Sequence, residues 1–423
     1  MKISVIGLGY VGLPLALEFS KKYSVVGYDL KKERISQLIN GVDNTFEVDS
    51  SFLKKQLKNN NNLKKGLFLS NNKESISDSN SYIIAVDTPV DEKKQLDLNS
   101  LKNASELVGS FLKKGDTVIY ESTVYPGATE EFCNPILEKI SNLKLNYDYY
   151  LGYSPERINP GDKSRSLTDI KKITSGSCRD CEMIIDKLYS SIIVAGTYLA
   201  PSIKVAEAAK VIENSQRDVN IAFVNELAKI FNLLEIDTSE VLKAAQTKWN
   251  FLPFNPGLVG GHCIGVDPYY LATIAKKNGY SPELILSARK LNDSMGKYVA
   301  SQVIKLMIKN DINIKNSEVL ILGISYKENC PDIRNTKVVD IFKELFEHSC
   351  NITVYDPLAN PFDVQKEYGI DILKNCPQNK YDVIILAVAH DEFIKIDLEK
   401  LKKMNSIIYD VKNVLGNKSD YKL

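Results

Sequence analysis

The residues best suited to covalent chemistry lie in a glycine-rich segment of the second half of the chain. Cys263 follows Gly260 and Gly261, and Asp267 stands four residues beyond it. Glycines allow a thiol to be held on a loop or at a helix start, and a nearby carboxylate can assist it, so Cys263 is a candidate nucleophile. The alternative is a buried cysteine in a glycine-rich turn.

Three polar residues elsewhere favour the catalytic interpretation. Lys210 and Asn214 are spaced i, i+4 in a helical run, so both project from one face and could polarise a substrate oxygen. Glu156 follows a predicted strand end, where α/β sheets place the groups that contact ligands. Solvated surface polarity is the alternative for each of the three.

The N-terminal motif GLGYVG predicts a dinucleotide site. Gly7 allows a tight turn after a predicted strand, Gly9 lets the backbone approach a pyrophosphate, and Gly12 lets the following helix pack closely. Asp29 ends the next predicted strand, 20 residues after Gly9. A carboxylate there can accept the ribose hydroxyls and repel a 2′-phosphate, which predicts NAD rather than NADP.

The pattern around these residues predicts an α/β fold. The first 28 residues alternate strand, glycine-rich turn, helix and strand, and residues 203–231 form a long run without Gly or Pro that predicts one helix. Further strand-like runs are found at 81–86, 116–120, 149–153, 318–326, 352–357 and 381–389. We therefore predict two Rossmann-like, doubly wound domains joined by a long central helix and a helical dimerisation segment.

These patterns also predict domain boundaries. An NAD-binding Rossmann domain is placed at 1–195, a central helical dimerisation domain at 196–300, and a second Rossmann-like domain, which the family resemblance given below implies binds the substrate, at 301–423. With 423 residues the chain is too long for one hydrophobic core.

Composition narrows the class of protein. Lys and Arg number 54 against 53 Asp and Glu, so charge gives no reason to expect nucleic acid as a partner. The apolar N-terminus is broken by glycines and by Pro14, and no apolar run approaches a membrane span, so we expect a cytoplasmic protein without a membrane partner. Seven scattered cysteines indicate a reducing compartment, and the pair Cys178 and Cys181 has no second pair to complete a metal site. We predict no metal.

Several longer motifs, taken together, resemble those of one known enzyme family. They are GLGYVG, ESTVYPG (121–127), GYSPERINPGDK (152–163), EAAKVIEN (207–214), GGHCIGVDP (260–268) and GISYKENCPDIRNTK (323–337). In this order the chain resembles the UDP-glucose/UDP-mannose dehydrogenase family over nearly its whole length. It is most similar to the bacterial branch that acts on UDP-N-acetylhexosamines, UDP-GlcNAc and UDP-GalNAc, in capsule and O-antigen synthesis.

The resemblance implies a four-electron oxidation. Hydride would leave C6 of the sugar for a first NAD, Cys263 would add to the aldehyde as a thiohemiacetal, and a second oxidation would give a thioester that water cleaves. Lys210 and Asn214 would stabilise the alkoxide at C6, while Glu156 and Asp267 would act on water and the thiol. The family also forms dimers or larger homo-oligomers.

The resemblance and the motifs together give the predicted site. The catalytic residues would be Cys263, Lys210, Asn214, Glu156, Asp267 and Thr123. Cofactor contacts are predicted for Gly7, Gly9, Tyr10, Val11, Gly12, Asp29, Arg34, Thr88, Thr123, Lys327 and Arg334. Substrate contacts are predicted for Glu156, Arg157, Lys210, Asn214, Asn255, Gly257, Gly260, Arg289 and Lys327.

Two departures from the family pattern bear on specificity. Arg157 and Pro160 replace the apolar pair and second glutamate usual in UDP-glucose dehydrogenases, which favours an amidosugar. Asp87 stands where Pro or Gly is common, near the cofactor or facing solvent. The alternatives are UDP-ManNAc or UDP-glucose as substrate, a two-electron nucleotide-sugar dehydrogenase, and a non-catalytic NAD-binding regulator.

Overall fold

The computed structural model describes residues 1–61, 64–91, 96–158, 165–261 and 264–423. Contacts divide these residues into two units. Unit 1 comprises Met1–Glu213 and Tyr269–Tyr280, and unit 2 comprises Asn214–Pro268 and Ser281–Leu423. The boundaries predicted from sequence, at residues 195 and 300, stay a prediction.

The bounds of the elements are as follows. The strands are β1 Lys2–Ile6, β2 Ser24–Tyr28, β3 Gly66–Ser70, β4 Ser81–Ile84, β5 Thr117–Tyr120, β6 Tyr150–Tyr153, β7 Lys172–Gly176, β8 Thr197–Leu199, β9 Glu318–Leu322, β10 Asn351–Tyr355, β11 Tyr381–Leu386, β12 Lys402–Asp410 and β13 Tyr421–Lys422. The helices are α1 Gly12–Ser20, α2 Lys32–Ile39, α3 Ser50–Gln56, α4 Asn99–Gly109, α5 Asn134–Ser141, α6 Arg179–Ser190, α7 Ile203–Leu233, α8 Thr238–Gln246, α9 Asp267–Lys277, α10 Glu283–Asp293, α11 Met295–Lys309, α12 Val338–Glu347, α13 Pro361–Tyr368 and α14 Asp391–Ile394. Short 3₁₀ turns lie at Lys73–Ile76, Leu167–Asp169, Leu398–Leu401 and Gly416–Lys418, and a π-helical turn lies at Thr129–Cys133.

The sheet of unit 1 has the order β3-β2-β1-β4-β5-β6-β7-β8. Neighbouring strands are parallel except for β6 and β7, which are antiparallel. The chain leaves β1 toward β2 on one side and later returns through β4 on the other. In doubly wound sheets ligands bind at this change of direction, beyond the carboxyl ends of the strands.

The sheet of unit 2 repeats this plan with the order β10-β9-β11-β12-β13, all parallel. Alternate residues of β9 enter two different cores: Val319 and Ile321 pack in one, Leu320 and Leu322 in the other. Burial on both faces explains why β9 is a continuous apolar run rather than an alternating one. The ligand position of this sheet lies between β9 and β11.

The predicted fold class is confirmed, since both sheets are doubly wound and a long helix stands between them in the sequence. That helix, α7, was predicted at 203–231 and ends two residues later, at Leu233. Among the described residues, no helix has both the length and the apolar character needed to cross a bilayer.

Candidate active site

The glycine-rich turn of unit 1 has room for a phosphate. Gly7 has a φ of +92°, and its N–H donates to the carbonyl of Tyr28 at 2.9 Å. A Cβ on Gly12 would lie 1.8 Å from the carbonyl oxygen of Gly7, so this position must be glycine. At Gly9, by contrast, a Cβ would have no described atom within 4 Å, and this open space lies just before α1 begins. A helix start of this kind attracts phosphate charge.

Asp29 closes the other side of the turn. Its carboxylate accepts the N–H groups of Leu8 and Lys31, each at 2.9 Å, and the side chain is only half-buried. The residues present therefore fit NAD, with Asp29 at the position that takes a ribose. Arg34 supports the same turn, because its Nε donates to the carbonyl of Leu8 and its terminal amino group pairs with Asp43 at 2.8 Å.

Two threonines meet at the carboxyl ends of β4 and β5. Thr88 Oγ1 donates to the carbonyl of Thr123 at 2.7 Å, and the hydroxyl of Tyr270 donates to the carbonyl of Thr88 at 2.6 Å. Both threonines thus lie at the edge of the sheet where the cofactor is expected. Asp87, which precedes Thr88, is exposed.

Glu156 is buried in a charged cluster of unit 1. One carboxylate oxygen accepts the N–H groups of Arg157 and Ile158, and the other accepts Lys172 Nζ at 2.9 Å. Only 6% of Glu156 is exposed, so the alternative of solvated surface polarity is wrong for it. Lys172 was not predicted as a site residue.

The same lysine holds a second carboxylate that the sequence analysis also missed. Lys172 Nζ donates to Glu121 at 2.7 Å, and the hydroxyl of Tyr189 donates to the other oxygen of Glu121. Burial and the nearby charge of Glu156 raise the pKa of Glu121 to about 7, against the attraction of Lys172. Burial opposes the charge of Lys172, but the two carboxylates hold its pKa above the ordinary value. The cluster therefore combines one firmly held cation with a carboxyl able to exchange a proton near neutral pH.

Arg157 has a fixed position beside this cluster. Its guanidinium pairs with both carboxylate oxygens of Glu213, at 3.1 and 2.7 Å, and donates to the carbonyl of Lys171 at 2.8 Å. A bidentate pair of this geometry orients the guanidinium plane. Pro160, the other residue of the departure from the family pattern, lies outside the described residues.

The first part of α7 carries Lys210, which is 8% exposed and therefore also not a solvated surface residue. One turn earlier, the fully buried carboxylate of Glu207 accepts the N–H groups of Gly127 and Thr129, which anchors α7 to the loop after β5. Burial raises the pKa of Glu207 to about 7, although the bonds from that loop oppose the rise. Glu207 belongs to the motif EAAKVIEN and was not predicted as a site residue.

In unit 2, Asn214 and Asp267 come together as a hydrogen-bonded pair. Asn214 Nδ2 donates to Asp267 Oδ2 at 2.6 Å, and Asp267 is 2% exposed at the start of α9. Cys263 lies outside the described residues. The segment before it is anchored, because Gly261 N–H donates to the carbonyl of Arg334 at 3.0 Å and a Cβ on Gly261 would lie 2.6 Å from the ring of Tyr326.

The backbone at Gly257, a predicted substrate residue, is held by a residue that sequence reasoning missed. Asn225, fully buried, accepts the N–H of Gly257 at 2.8 Å and donates to its carbonyl at 3.0 Å. Asn255 is exposed. Arg289 has a different environment: it is 1% exposed and pairs with Asp218 and with Asp293, so its predicted sugar contact stays a prediction.

A cleft lies between the carboxyl ends of β9 and β11, at the ligand position of the second sheet. It is open to solvent, and the empty space within it and at its mouth totals about 310 Å³. Lys327, Lys337 and Lys412 line it together with Gly260. Three lysines in one cleft suit a diphosphate. Of the three, only Lys327 was predicted. Arg334 does not line this cleft, and its guanidinium pairs with Asp332 at 2.6 Å.

The thiols at Cys178 and Cys181 are not part of either site. Cys178 caps the start of α6 and is half-buried, while Cys181 is buried and donates to the carbonyl of Leu151. Among the described residues, no group of three or more His, Cys, Asp or Glu is placed to hold a metal ion.

The first sheet, with its glycine turn, the half-buried carboxylate of Asp29 and a buried polar cluster at the same edge, defines an NAD-dependent dehydrogenase of the Rossmann type. Comparison with known families specifies it further. Residues 1–193 match the NAD binding domain of the UDP-glucose/GDP-mannose dehydrogenase family, residues 204–294 match its central domain, and residues 320–417 match its UDP binding domain. The chain belongs to this family. The second sugar nucleotide in the name of the family is GDP-mannose, not UDP-mannose.

Individual relatives agree with this assignment. The chain is 54% identical, over 100% of its length and 99% of the relative, to a UDP-N-acetyl-D-glucosamine 6-dehydrogenase of Pseudomonas aeruginosa. It is 55% identical, with the same coverage, to a UDP-N-acetyl-D-glucosamine 6-dehydrogenase of Salmonella typhi. A solved structure of a UDP-D-ManNAc dehydrogenase from Pyrococcus horikoshii matches with a TM-score of 0.89 at 29% identity, covering 100% of this chain and 98% of that one. The chain is thus an NAD-dependent dehydrogenase with a UDP-binding domain.

Proposed function

We propose that this enzyme oxidises the C6 hydroxyl of a UDP-N-acetylhexosamine, UDP-GlcNAc in preference to UDP-GalNAc, to the carboxylate. The observation that carries the proposal is the 54% and 55% identity, across the whole chain, to two proteins named for UDP-N-acetyl-D-glucosamine. Identity to the UDP-D-ManNAc dehydrogenase structure is much lower, at 29%. The fixed guanidinium of Arg157, at the position where the sequence departs from UDP-glucose dehydrogenases, also favours an amidosugar.

The residues of unit 1 supply binding and charge. NAD, when bound in the turn around Gly9, provides the hydride acceptor. Lys210 supplies a buried cation that can stabilise an alkoxide at C6 as its proton leaves. Glu156, held by Lys172 and by two backbone N–H groups, is suited to orienting a water molecule because its position is fixed by three donors.

The residues of unit 2 supply the covalent chemistry. Cys263 adds to the C6 aldehyde through its sulfur and gives a thiohemiacetal, which keeps the aldehyde on the enzyme. Removal of a second hydride gives the thioester, and water then cleaves the C–S bond to release the carboxylate and the thiol. Asp267, paired with Asn214, is the carboxylate that would assist the thiol and the water.

The test combines stoichiometry with one substitution. Wild-type enzyme given UDP-GlcNAc, UDP-GalNAc, UDP-ManNAc or UDP-glucose should oxidise the first most efficiently and form two NADH per sugar. Cys263→Ser should lose steady-state turnover and stop at the aldehyde level, while Cys178→Ser, at the half-buried cap of α6, should behave as wild type. Two NADH per sugar at the wild-type rate from Cys263→Ser would show that the thiol is not the nucleophile.

We also propose that the enzyme is a homodimer or larger homo-oligomer built on α7. Val205, Ile212, Phe223 and Ile230 of α7 are each more than two-fifths exposed. At ~100° per residue they fall within about 20° of one another around the helix axis, so they form one apolar stripe. An exposed stripe of this kind favours burial against a second copy.

Light scattering tests the assembly. Phe223→Asp should reduce the molar mass toward that of one chain, whereas Met404→Asp, at another exposed apolar side chain, should leave it unchanged. If wild-type enzyme has the mass of a single chain, the stripe is not an oligomer interface. A cytoplasmic location and a role in capsule or O-antigen synthesis, both predicted above, remain part of this proposal, and the free thiols of the described cysteines accord with a reducing compartment.

A further inference from the structure

A buried histidine lies beneath the cleft of unit 2. His390 follows β11 and is 1% exposed. The backbone N–H of Asn329 donates to its Nδ1 at 2.8 Å, while its Nε2 lies 3.1 Å from Ser325 Oγ and 3.3 Å from Asp356 Oδ2. A ring nitrogen that accepts an N–H carries no proton of its own. The neutral ring therefore bears its proton on Nε2, where Asp356 can accept it.

These contacts fix both ends of the segment Ser325–Asn329. At its start, Asp356 accepts the N–H groups of Ile324 and Ser325, at 2.8 and 3.2 Å. At its end, Asn329 has a φ of +55° and its side-chain carbonyl accepts the N–H of Asp391 at 3.1 Å. His390 bridges the two ends, so one imidazole contacts the segment at both of them.

The segment between these ends forms one wall of the cleft. Ser325, Tyr326, Lys327 and Glu328 all line it, and Ser325 Oγ also donates to the carbonyl of Lys327 at 3.0 Å. A lysine side chain loses much rotational freedom when it binds an anion. Holding its backbone in place before the ligand arrives reduces the remaining cost of ordering the wall.

We propose that His390, as the neutral Nε2–H tautomer, is a positioning residue for nucleotide binding: it holds Ser325–Asn329 so that Lys327 faces the diphosphate of the substrate. The inference rests on the proposed function, since it takes a UDP-sugar as the ligand of this cleft. His390 itself does not line the cleft and acts through the segment above it.

Two substitutions test the contacts of the two ring nitrogens of His390 separately. Glutamine can place its amide near the position of Nε2 and keep the contact with Asp356, but it offers no acceptor to Asn329. Asparagine places its carbonyl near the position of Nδ1 and keeps that acceptor. We therefore expect His390→Gln to weaken UDP binding roughly tenfold, the equivalent of one lost hydrogen bond, and His390→Asn to weaken it less.

The experiment is calorimetric titration of the full enzyme with UDP, which requires no turnover, and in parallel with NADH. His348→Gln is the matched control, because His348 is exposed in the same unit and contacts only the carbonyl of Glu344 among the described hydrogen bonds. Support would be a loss of UDP affinity in His390→Gln with NADH affinity and His348→Gln unchanged, together with a rise in KM for the UDP-sugar larger than the fall in kcat. Unchanged UDP affinity in folded His390→Gln, or equal losses of UDP and NADH affinity, would overturn the proposal.

A second measurement reads the protonation of the ring in the wild-type enzyme and needs a variant, His390→Asn or His390→Gln, only to assign the signal. Nitrogen-15 spectra of the wild-type histidine side chains should show a ring protonated at Nε2 and not at Nδ1 whose signal is absent from the variant. If the signal that the variant lacks came from a ring protonated at Nδ1, the proposal would also be overturned. If wild-type enzyme binds UDP but oxidises none of the UDP-sugars, the proposed function fails while this inference stands or falls on the UDP titration alone.

Discussion

The two sheets contain the same turn, and they use it differently. In unit 1, Gly7 has a φ of +92° and donates to the carbonyl of Tyr28 at 2.9 Å; in unit 2, Gly323 has a φ of +89° and donates to the carbonyl of Tyr355 at 2.9 Å. The next residue donates in each case to an aspartate, Asp29 or Asp356, at 2.9 and 2.8 Å. Up to this point the two turns are equivalent.

They diverge in the residues that follow. Where unit 1 has Gly9 and Gly12, unit 2 has Ser325 and Glu328 at the same spacing. Helix α1 starts at once after the first turn, whereas α12 starts only at Val338. Without the small residues and the immediate helix start, the second turn cannot present backbone N–H groups to a pyrophosphate in the same way, and lysine side chains line its cleft instead.

The two aspartates, Asp29 and Asp356, also differ in how far they are buried. Asp29 is half-buried and accepts two backbone N–H groups, which leaves it accessible to a ribose. Asp356 is fully buried and accepts N–H groups from Ile324, Ser325, Leu358 and Ala359 as well as the contact from His390. One fold thus leaves the carboxylate accessible in one unit and buries it against its own chain in the other.

The strongest test of this difference is the pair Asp356→Ala and Asp29→Ala. Removing Asp356 leaves several buried donors without an acceptor, so we expect the free energy of unfolding of unit 2 to fall by about 3–5 kcal/mol. The half-exposed Asp29 should cost unit 1 about 1 kcal/mol or less. Amide hydrogen exchange resolved by peptide would measure both, and equal losses in the two variants would contradict the comparison.

Acid should separate the two units in the same way. Burial opposes the charge of Asp356, but the hydrogen bonds from His390 and from backbone N–H groups outweigh it and hold its pKa below the ordinary value. Because the pKa is depressed in the folded state, the ionised carboxylate contributes its full stabilisation above about pH 4, and that contribution is lost as the pH falls through the depressed pKa. The expected loss is on the order of 1 kcal/mol, since each pKa unit corresponds to about 1.4 kcal/mol.

Urea unfolding between pH 5 and pH 2.5 checks this effect. The difference in unfolding free energy between wild type and Asp356→Asn should shrink as the pH falls. A difference that stays constant over this range would mean that the pKa of Asp356 is the same in the folded and the unfolded protein. Asp29→Asn serves as the control for general acid effects.

The sequence predicted the first of these turns well and the second only in outline. GLGYVG and Asp29 are local, because 20 residues of strand, helix and strand suffice to place Asp29 beside Gly9. The role of Asp356 depends on His390, which lies 34 residues away and after a different strand. Strand periodicity gives no information on which loops share an edge of the sheet, so this contact could not be predicted.

The charged cluster of unit 1 illustrates the same limit. Glu156 was correctly placed after a strand, but Lys172 lies at the beginning of β7, which in a fully parallel sheet would be at the opposite edge. Because β7 runs antiparallel to β6, its first residue lies beside the residues that follow β6. The direction of this strand is set by how the chain crosses the sheet and cannot be read from the residues of the strand itself. The roles assigned to Glu156 and to the other site residues stay predictions.

The accessible carboxylate of unit 1 should also set cofactor choice. Asp29→Ala removes the acceptor for the ribose hydroxyls and the charge that repels a 2′-phosphate, so the preference for NAD over NADP should fall at least roughly tenfold. Steady-state kinetics with both cofactors would measure the ratio of kcat/KM. Asp356→Asn, if folded, should leave that ratio unchanged, and an unchanged ratio in Asp29→Ala would exclude Asp29 from the ribose site.

The smallest effect is expected at the open position of the first turn. A methyl group on Gly9 would meet no described atom within 4 Å, so Gly9→Ala should fold with wild-type stability. The methyl would nevertheless occupy the space through which a pyrophosphate approaches the backbone, and we expect NADH to bind several-fold more weakly, by ~1 kcal/mol.

Gly12→Ala should instead perturb the turn itself, because its Cβ would lie 1.8 Å from the carbonyl oxygen of Gly7. At the matching position of unit 2, Ser325→Ala should leave NADH binding unaltered. NADH fluorescence titrations and melting curves for the three variants would test this assignment. Equal NADH affinity in Gly9→Ala and wild type would mean that the pyrophosphate does not approach the backbone at this residue. The two turns would then differ in shape, but neither would bind a pyrophosphate through its backbone.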